Sequence, residues 1–254
     1  MHEDAIRSEF THQSRTFNVA PAMRSAETLQ ALIDAMPTAP GQRWLDVACG
    51  PGLVARALAP RVGSVLGVDL TGAMIDLARR EARREGLANV AFALGDATRL
   101  DLPDDSFDGA VTRFSLHHIP LPSRTVAEMA RVVRPGGSVV LADHLHAEDH
   151  DGAVWQEEIE RLRDPSHWAC LTHRRIQELG RPAGLELEAE RVIPFAMSFE
   201  EWLSRGSGGP GASELIERAL AARPGGSEAY RVEPGRDGGR RLHLRYSLTL
   251  WRKR

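Results

Sequence analysis

The run Arg43-Trp44-Leu45-Asp46-Val47-Ala48-Cys49-Gly50-Pro51-Gly52-Leu53 constrains this chain more than any other stretch. It reads as a short apolar strand with an acid near its end, a tight glycine turn and the start of a helix. Glycine at 50 and 52 removes two side chains where the backbone turns sharply and approaches a ligand. A helix opening after Pro51 aims unpaired N–H groups and partial positive charge at the same spot, which suits a carboxylate or phosphate. Asp46 supplies an acceptor for a cationic or N–H-bearing group. Donors on one side and an acid on the other fit a zwitterion better than a pyrophosphate. The same residues also satisfy the dinucleotide fingerprint Gly50-x-Gly52-x-x-Ala55, with Asp69 placed as a ribose acid. The motif by itself leaves both readings open.

The rest of the chain supplies more strand ends of this kind. Helical spacing at Leu29, Leu32, Ile33 and Met36 predicts a helix over 25–36, stopped by Pro37 and Pro40. Val62 to Asp69 is a β-branched strand closing on an acid 23 positions after Asp46. A carboxylate there accepts from two vicinal ribose hydroxyls and repels a 2′-phosphate; its competing role is to cap the helix at 71–85, which Thr71 can also do. Asn89 to Leu94 is a third strand, followed by Gly95-Asp96-Ala97. Asp96 can accept from an exocyclic amine while the Ala97 N–H donates to a ring nitrogen, or it can simply initiate a turn. Phe107 to Thr112 and Ser138 to Ala142 are further strands, with a helix over 123–133 and the stop Arg134-Pro135-Gly136-Gly137 between them. Apolar strands alternating with helices predict a parallel sheet covered on both faces.

Leu45-Asp46-Val47-Ala48-Cys49-Gly50-Pro51-Gly52 resembles motif I of the class I S-adenosylmethionine (SAM) methyltransferases, in the ubiquinone/menaquinone C-methyltransferase-like (type 11) subgroup. Ala48 stands where many members have glycine. The stretch 107–142, with its R-x-x-R-P-G-G turn, resembles the later motifs. The resemblance implies a Rossmann-like α/β fold with a seven-stranded, mostly parallel sheet whose last strand is antiparallel, helices on both faces, and a small inserted cap. It implies SAM as cofactor, held by Asp46, Ala48, Cys49, Gly50, Gly52, Asp69, Leu70, Met74, Asp96, Ala97 and Arg113. Asp46 and Asp96 have roles toward SAM and none toward a dinucleotide, which favours SAM. The tyrosine- and asparagine-bearing N-terminal signature of a quinone-pathway enzyme is absent.

The expected organisation is a helical lid over 1–40, with Phe10, Thr11 and Phe17 facing the site, and a core over 41–194 carrying substrate helices at 145–182. A cap over 195–240 and a final strand over 241–254 complete it. The cap is built from a helix near 199–205, a glycine-rich turn, a helix near 212–222 and a loose stretch from 224 to 240. Phe17, Phe114, Trp155, His167, Trp168 and Trp202 are the candidate walls of a substrate pocket. His117 and His144 follow strands 4 and 5 and are the candidate bases, since imidazole titrates near working pH.

Composition narrows the remaining options. A formal net charge of −3 argues against a nucleic-acid partner. No apolar run approaches the ~20 residues of a membrane span, and the polar N-terminus is no secretory signal. Cys49 and Cys170 form neither a disulfide framework nor a metal-ligand spacing, and His144, His146 and His150 fit no four-ligand pattern, so no metal is expected. Lys253 is the single lysine among 32 basic residues, pointing to a GC-rich bacterial origin. The function expected is methyl transfer, in a bacterial cytoplasm, to carbon or oxygen of a small, partly apolar or aromatic metabolite, as in natural-product biosynthesis. The chain is expected as monomer or homodimer. The alternatives are a SAM-binding cyclase or binding module that has lost methyl transfer, and an NAD-dependent oxidoreductase.

Overall fold

The computed structural model describes residues 2–14, 26–209, 211–236 and 238–254. Phe17 lies outside the described residues. The sheet has the order β3-β2-β1-β4-β5-β8-β6. Its strands are β1 (Arg43–Val47), β2 (Ser64–Asp69), β3 (Val90–Leu94), β4 (Phe107–Arg113), β5 (Val133–His144), β6 (Leu185–Ser198) and β8 (Arg240–Lys253). All neighbouring pairs from β3 through β5 are parallel, and β8 runs antiparallel between β5 and β6.

Side-chain alternation along the central strands sorts two cores. Trp44, Val65, Val111 and Val140 face one side, under α2 (Ala26–Ala35), α3 (Leu53–Leu58) and α4 (Gly72–Arg84). Leu45, Val47, Ala110, Val139 and Leu141 face the other, under α5 (Pro122–Val132) and α7 (His173–Gly180). Strands buried on both faces are apolar nearly throughout, as parallel sheets require. The chain moves outward to β2 and β3 and then returns to β4, so the order reverses between β1 and β4. Ligands of open α/β sheets bind outside the carboxyl ends at such a point.

Gly52 has φ +75, and a Cβ there would lie 2.6 Å from the Phe92 ring. Its need for glycine is therefore packing of α3 against the sheet as well as backbone conformation. Gly52→Ala should cost about 2–4 kcal/mol through overpacking and a strained φ. That corresponds to a fall of about 5–10 °C in Tm by calorimetry.

The carboxyl side of the sheet departs from expectation in two ways. β6 continues to Ser198 instead of ending near Ile193, because β8 pairs with it along the whole of its length. The stretch expected to be loose contains β7 (Tyr230–Pro234), an eighth strand that pairs with residues 240–244 of β8. β5 also starts earlier, and Arg134–Gly137 is a bulge within it, with Gly136 at φ +73. The β6–β8 pair thus projects beyond the end of β5 and forms the floor of a third core. There α6 (His150–Arg163), α8 (Phe199–Arg205) and α9 (Ala212–Ala222) meet around Trp155, Ile159, Phe199, Trp202, Ile216 and Tyr230. Among the described residues, no helix is long and apolar enough to cross a membrane.

Candidate active site

A cavity of ≈ 580 Å³ lies over the carboxyl ends of β1, β2 and β4. Asp46, Asp69 and Asp96 all line it, with Ala48, Cys49, Gly50, Leu70, Ala97 and Arg113. The three acids differ in how much of each carboxylate the fold already uses. Asp46 is 1% exposed and accepts from the Ala55 N–H of α3 at 2.9 Å. Asp69 accepts from Gly50 N at 2.8 Å on one oxygen and Thr71 N at 2.9 Å on the other. Asp96 accepts from the backbone and hydroxyl of Thr98, so it makes the turn that competed with its ligand role and also faces the cavity.

Burial drives Asp46 up to about 7, with the neighbouring Asp69 adding to the rise; the Ala55 N–H and Arg113 oppose it. Asp69 is raised for the same first reason, against the Thr71 and Gly50 N–H groups. One buried and one half-buried carboxylate with a single buried guanidinium nearby favour a cationic guest. Arg113, lowered to about 10 by burial, donates to the Thr28 hydroxyl at 2.9 Å and lies over the Phe114 ring.

The turn geometry explains the glycine pattern only in part. A Cβ on Gly50 (φ +51) would meet nothing within 4 Å, so this glycine leaves open room on the cavity side. Ala48 takes φ 54 without being glycine, and Phe114, just past β4, takes φ 53. Left-handed backbone at non-glycine residues is uncommon and concentrates at binding sites. Two residues expected at the cofactor do not line the cavity. Met74 is fully buried because its α4 position points inward with Ile75 and Ala78, and Gly52 packs on Phe92.

A second, inner chamber of ≈ 80 Å³ shares Phe10, Phe114 and His118 with the large cavity. His117, His144, His167, Glu160, Arg163, Asp164, Arg205 and Trp202 also line it. His117 and His118 form a short helical turn after β4. The His117 Nδ1 is 2.6 Å from Asp143 Oδ1, and the other Asp143 oxygen accepts from the His117 N–H at 3.2 Å. The rings of His118 and His144 stand 4.1 and 4.2 Å from that of His117. Burial holds His117 and His144 well below the ordinary imidazole value, with neighbouring imidazoles adding to the effect. His167 goes the other way: burial would lower it, but the Glu157 and Glu160 carboxylates outweigh that and raise it. Glu160 is pushed up to about 6 by burial.

Phe114, His167 and Trp202 thus reach the expected pocket, whereas two tryptophans do not. Trp155 turns into the cap core, where its Nε1 donates to Ala219 O at 2.8 Å. Trp168 is 47% exposed, edge-on to His2 at 5.0 Å. His146 is engaged with the Ala147 carbonyl and His150 is exposed, so the histidines at 144, 146 and 150 do not share a site. Sequence reading missed His118, Glu160, Arg163, Asp164 and Arg205. Only the adjacency of His118 to His117 signalled any of them.

The helix α1 (His2–Gln13) covers both spaces. Arg7 donates to Leu70 O at 2.9 Å beside the cofactor strands. Gln13 donates to Asp164 at 3.2 Å, and Glu9 accepts from the Ser207 hydroxyl on the cap side. Phe10 lines both spaces; Thr11 is exposed and bonds back to the Arg7 carbonyl.

Residues 45–141 match the family model described as "Methyltransferase domain". The chain is 30% identical over 197 residues to the uncharacterized methyltransferase YcgJ of Bacillus subtilis, covering 78% of each. The crystal structure of YcgJ superposes with a TM-score of 0.81 and 28% identity, covering 90% of this chain and 99% of that one. A demethylmenaquinone methyltransferase of Renibacterium salmoninarum is 37% identical over 115 residues, 45% of this chain and 46% of its own length. With the strand order and the acid-lined cleft, these likenesses decide between the SAM and dinucleotide readings of Gly50–Ala55: the chain belongs to the class I SAM-dependent methyltransferases, in the menaquinone C-methyltransferase-like subgroup, and its cofactor is S-adenosylmethionine.

Proposed function

We propose that the protein moves the methyl group of SAM to carbon or oxygen of a small, partly apolar or aromatic metabolite bound where the large cavity meets the inner chamber, with His117 as base. The observation that carries this is the shared wall: Phe10, Phe114 and His118 border both the acid-lined cavity and the histidine-lined chamber. In this reading Asp69 takes the ribose, Asp96 and Ala97 the adenine, and Asp46 the ammonium end. Gly50 leaves room for the amino acid moiety, and α1 closes over the complex.

Methyl transfer needs the sulfonium carbon and the acceptor held in line at ~3–3.5 Å with water excluded. Phe114, His118 and the α1 lid supply the alignment and the dry wall. His117 removes the acceptor proton: Asp143 holds its Nδ1–H, which leaves Nε2 as the basic nitrogen. The aromatic and aliphatic residues Phe10, Phe114, Phe195, Trp202 and Leu244 favour an acceptor with an apolar body.

The test is calorimetric titration with SAM, followed by a screen of small phenols, enols and hydroxy acids for S-adenosylhomocysteine release. Tight SAM binding with turnover of at least one acceptor supports the reading. A protein that binds no SAM refutes the cofactor site; one that binds SAM and consumes no acceptor refutes the transfer.

A pH effect follows from Asp46. Its folded value, about 7, lies above the unfolded value of ~3.9. The folded state therefore holds the extra proton between these values, and stability falls as pH rises from ~4 to ~7. The ceiling on this loss is ~4 kcal/mol. SAM brings a cation that stabilises the carboxylate, so binding below pH 7 should release a proton. The binding heat should then differ between buffers of unlike ionisation enthalpy at pH 6, and the difference should shrink toward pH 7. Equal heats in both buffers at pH 6 would contradict the assignment.

A further inference from the structure

Sequence spacing argued against a metal, but the fold gathers donors that lie far apart along the chain. His144 ends β5. Glu157 and Glu160 stand one turn apart on α6, and His167 and Cys170 lie three apart on the segment leading to α7. His144 Nε2 is 2.9 Å from Cys170 Sγ and 3.7 Å from Glu160 Oε1. Donor atoms of Glu157, His167 and Cys170 all lie within 4.8 Å of one another. Glu157 is fixed from both sides: one oxygen accepts from Cys170 N at 2.7 Å, and the other faces His167 Nε2 at 3.0 Å and Arg161 at 2.9 Å.

Glu160 supplies a separate observation. It is 3% exposed, and its Oε1, the atom nearest His144, has no hydrogen-bond partner among the described residues. An orphaned buried carboxylate oxygen is costly unless something absent from the polypeptide meets it. Water could serve such an oxygen. The thiol and imidazole of the Glu157–His167–Cys170 group, with the His144 imidazole on the same sulfur, call for a softer guest.

We infer that His144, His167, Cys170 and a carboxylate from Glu157 or Glu160 form a binding site for a thiophilic divalent cation of the zinc class, at the wall of the inner chamber. Imidazole and thiolate donors select Zn²⁺ or Co²⁺ over Mg²⁺ or Ca²⁺, which prefer oxygen alone. Tetrahedral zinc with bonds of about 2.0–2.3 Å sets its donors roughly 3.3–3.7 Å apart. The His144–Glu160 separation already has this value, and the His144–Cys170 pair opens by about half an ångström to reach it. Asp143 Oδ1 accepts from the His144 backbone N–H at 2.8 Å, which fixes the end of β5 that carries this imidazole. The ion would tie β5, α6 and the 164–171 segment together. This inference is independent of SAM binding.

The experiment uses the full chain stripped with a chelator and titrated with CoCl₂, then with ZnCl₂. The expected result is one Co²⁺ per chain, a thiolate-to-cobalt charge-transfer band in the near ultraviolet, and displacement of that band by Zn²⁺. Cys170→Ser should abolish the band, and Glu160→Gln and His167→Gln should each weaken Co²⁺ binding by at least ~10-fold. His146→Ala, outside the cluster, should change nothing. Zinc-edge X-ray absorption of the wild-type protein gives a readout that no variant's folding can confound: one sulfur with nitrogen and oxygen neighbours supports the site. No stoichiometric binding, a band that survives Cys170→Ser, or a zinc shell without sulfur would overturn it.

Discussion

Asp69→Ala should weaken SAM binding about 100-fold or more while the protein stays folded. The proposed ribose contact is a pair of hydroxyl donors on one ionised carboxylate. Each such charge-assisted bond contributes ~1.5–3 kcal/mol, and a hundredfold loss is about 2.7 kcal/mol. The side chain has a second duty, since Gly50 N and Thr71 N donate to it. Alanine leaves both N–H groups without that acceptor and loosens the turn that frames the cofactor. Asp69→Asn separates the two effects. It keeps the shape and one acceptor oxygen, but it removes the charge and points an amide donor at a backbone N–H. Its affinity should fall between wild type and alanine. Asp96→Ala should cost less, about 5–10-fold, because the Asp96 oxygens already accept from the Thr98 N–H and hydroxyl. Calorimetry on the three variants, with melting curves to confirm folding, ranks them. If Asp69→Ala binds SAM within about threefold of wild type, the ribose assignment is wrong.

The lining of the larger cavity was legible because it is local. Each acid sits at the end of its own apolar strand, and the turn after it carries its own glycine or capping residue. The sheet then aligns those ends without further instruction. Two details escaped even there. Met74 looked like an adenine contact, but helical periodicity in α4 commits it to the interior. Gly52 looked like a close-approach glycine, and its constraint is Phe92, forty residues along the chain.

The inner chamber was legible only in part: Phe114, His117, His144, His167 and Trp202 were named from sequence and line it, but its buried acids and arginines were not. His117, Asp143, Glu160 and His167 meet only after β4, β5, α6 and the 164–171 segment have packed, and no periodicity marks a buried polar residue among them. The cap shows the same limit. Polar and aromatic residues alternate without a clean stripe over 198–240, so β7 was read as loop until β8 gave it a partner. Trp155 was assigned to the substrate because aromatic side chains suit both a pocket and a core. Here the core of α6, α9 and β7 claims it.

Asp143→Asn tests the chemistry more sharply than removal of any histidine. Asp143 is 1% exposed and accepts from His117 N at 3.2 Å, from His144 N at 2.8 Å and from His117 Nδ1 at 2.6 Å. Both oxygens are therefore engaged by backbone donors, and one also fixes the His117 tautomer. Asparagine has one acceptor oxygen. Satisfying the His144 N–H with it turns the amide NH₂ toward the His117 backbone. Reversing the amide instead aims NH₂ at Nδ1 and moves the imidazole proton to Nε2, where the base must be free. In either orientation the ring loses its acceptor or its register. We expect kcat to fall about 10²–10⁴-fold, with SAM affinity within about threefold of wild type, because Asp143 does not line the cofactor cavity. His117→Ala should give a loss of similar size. The double variant should lose little beyond either single change, since residues acting as one unit are not additive. A merely structural Asp143 would instead show two losses that multiply, or a loss of SAM binding together with turnover. Measuring S-adenosylhomocysteine release for the four proteins with one acceptor, beside SAM calorimetry, separates these outcomes. If Asp143→Asn turns over within about tenfold of wild type while SAM binds normally, proton removal does not pass through His117.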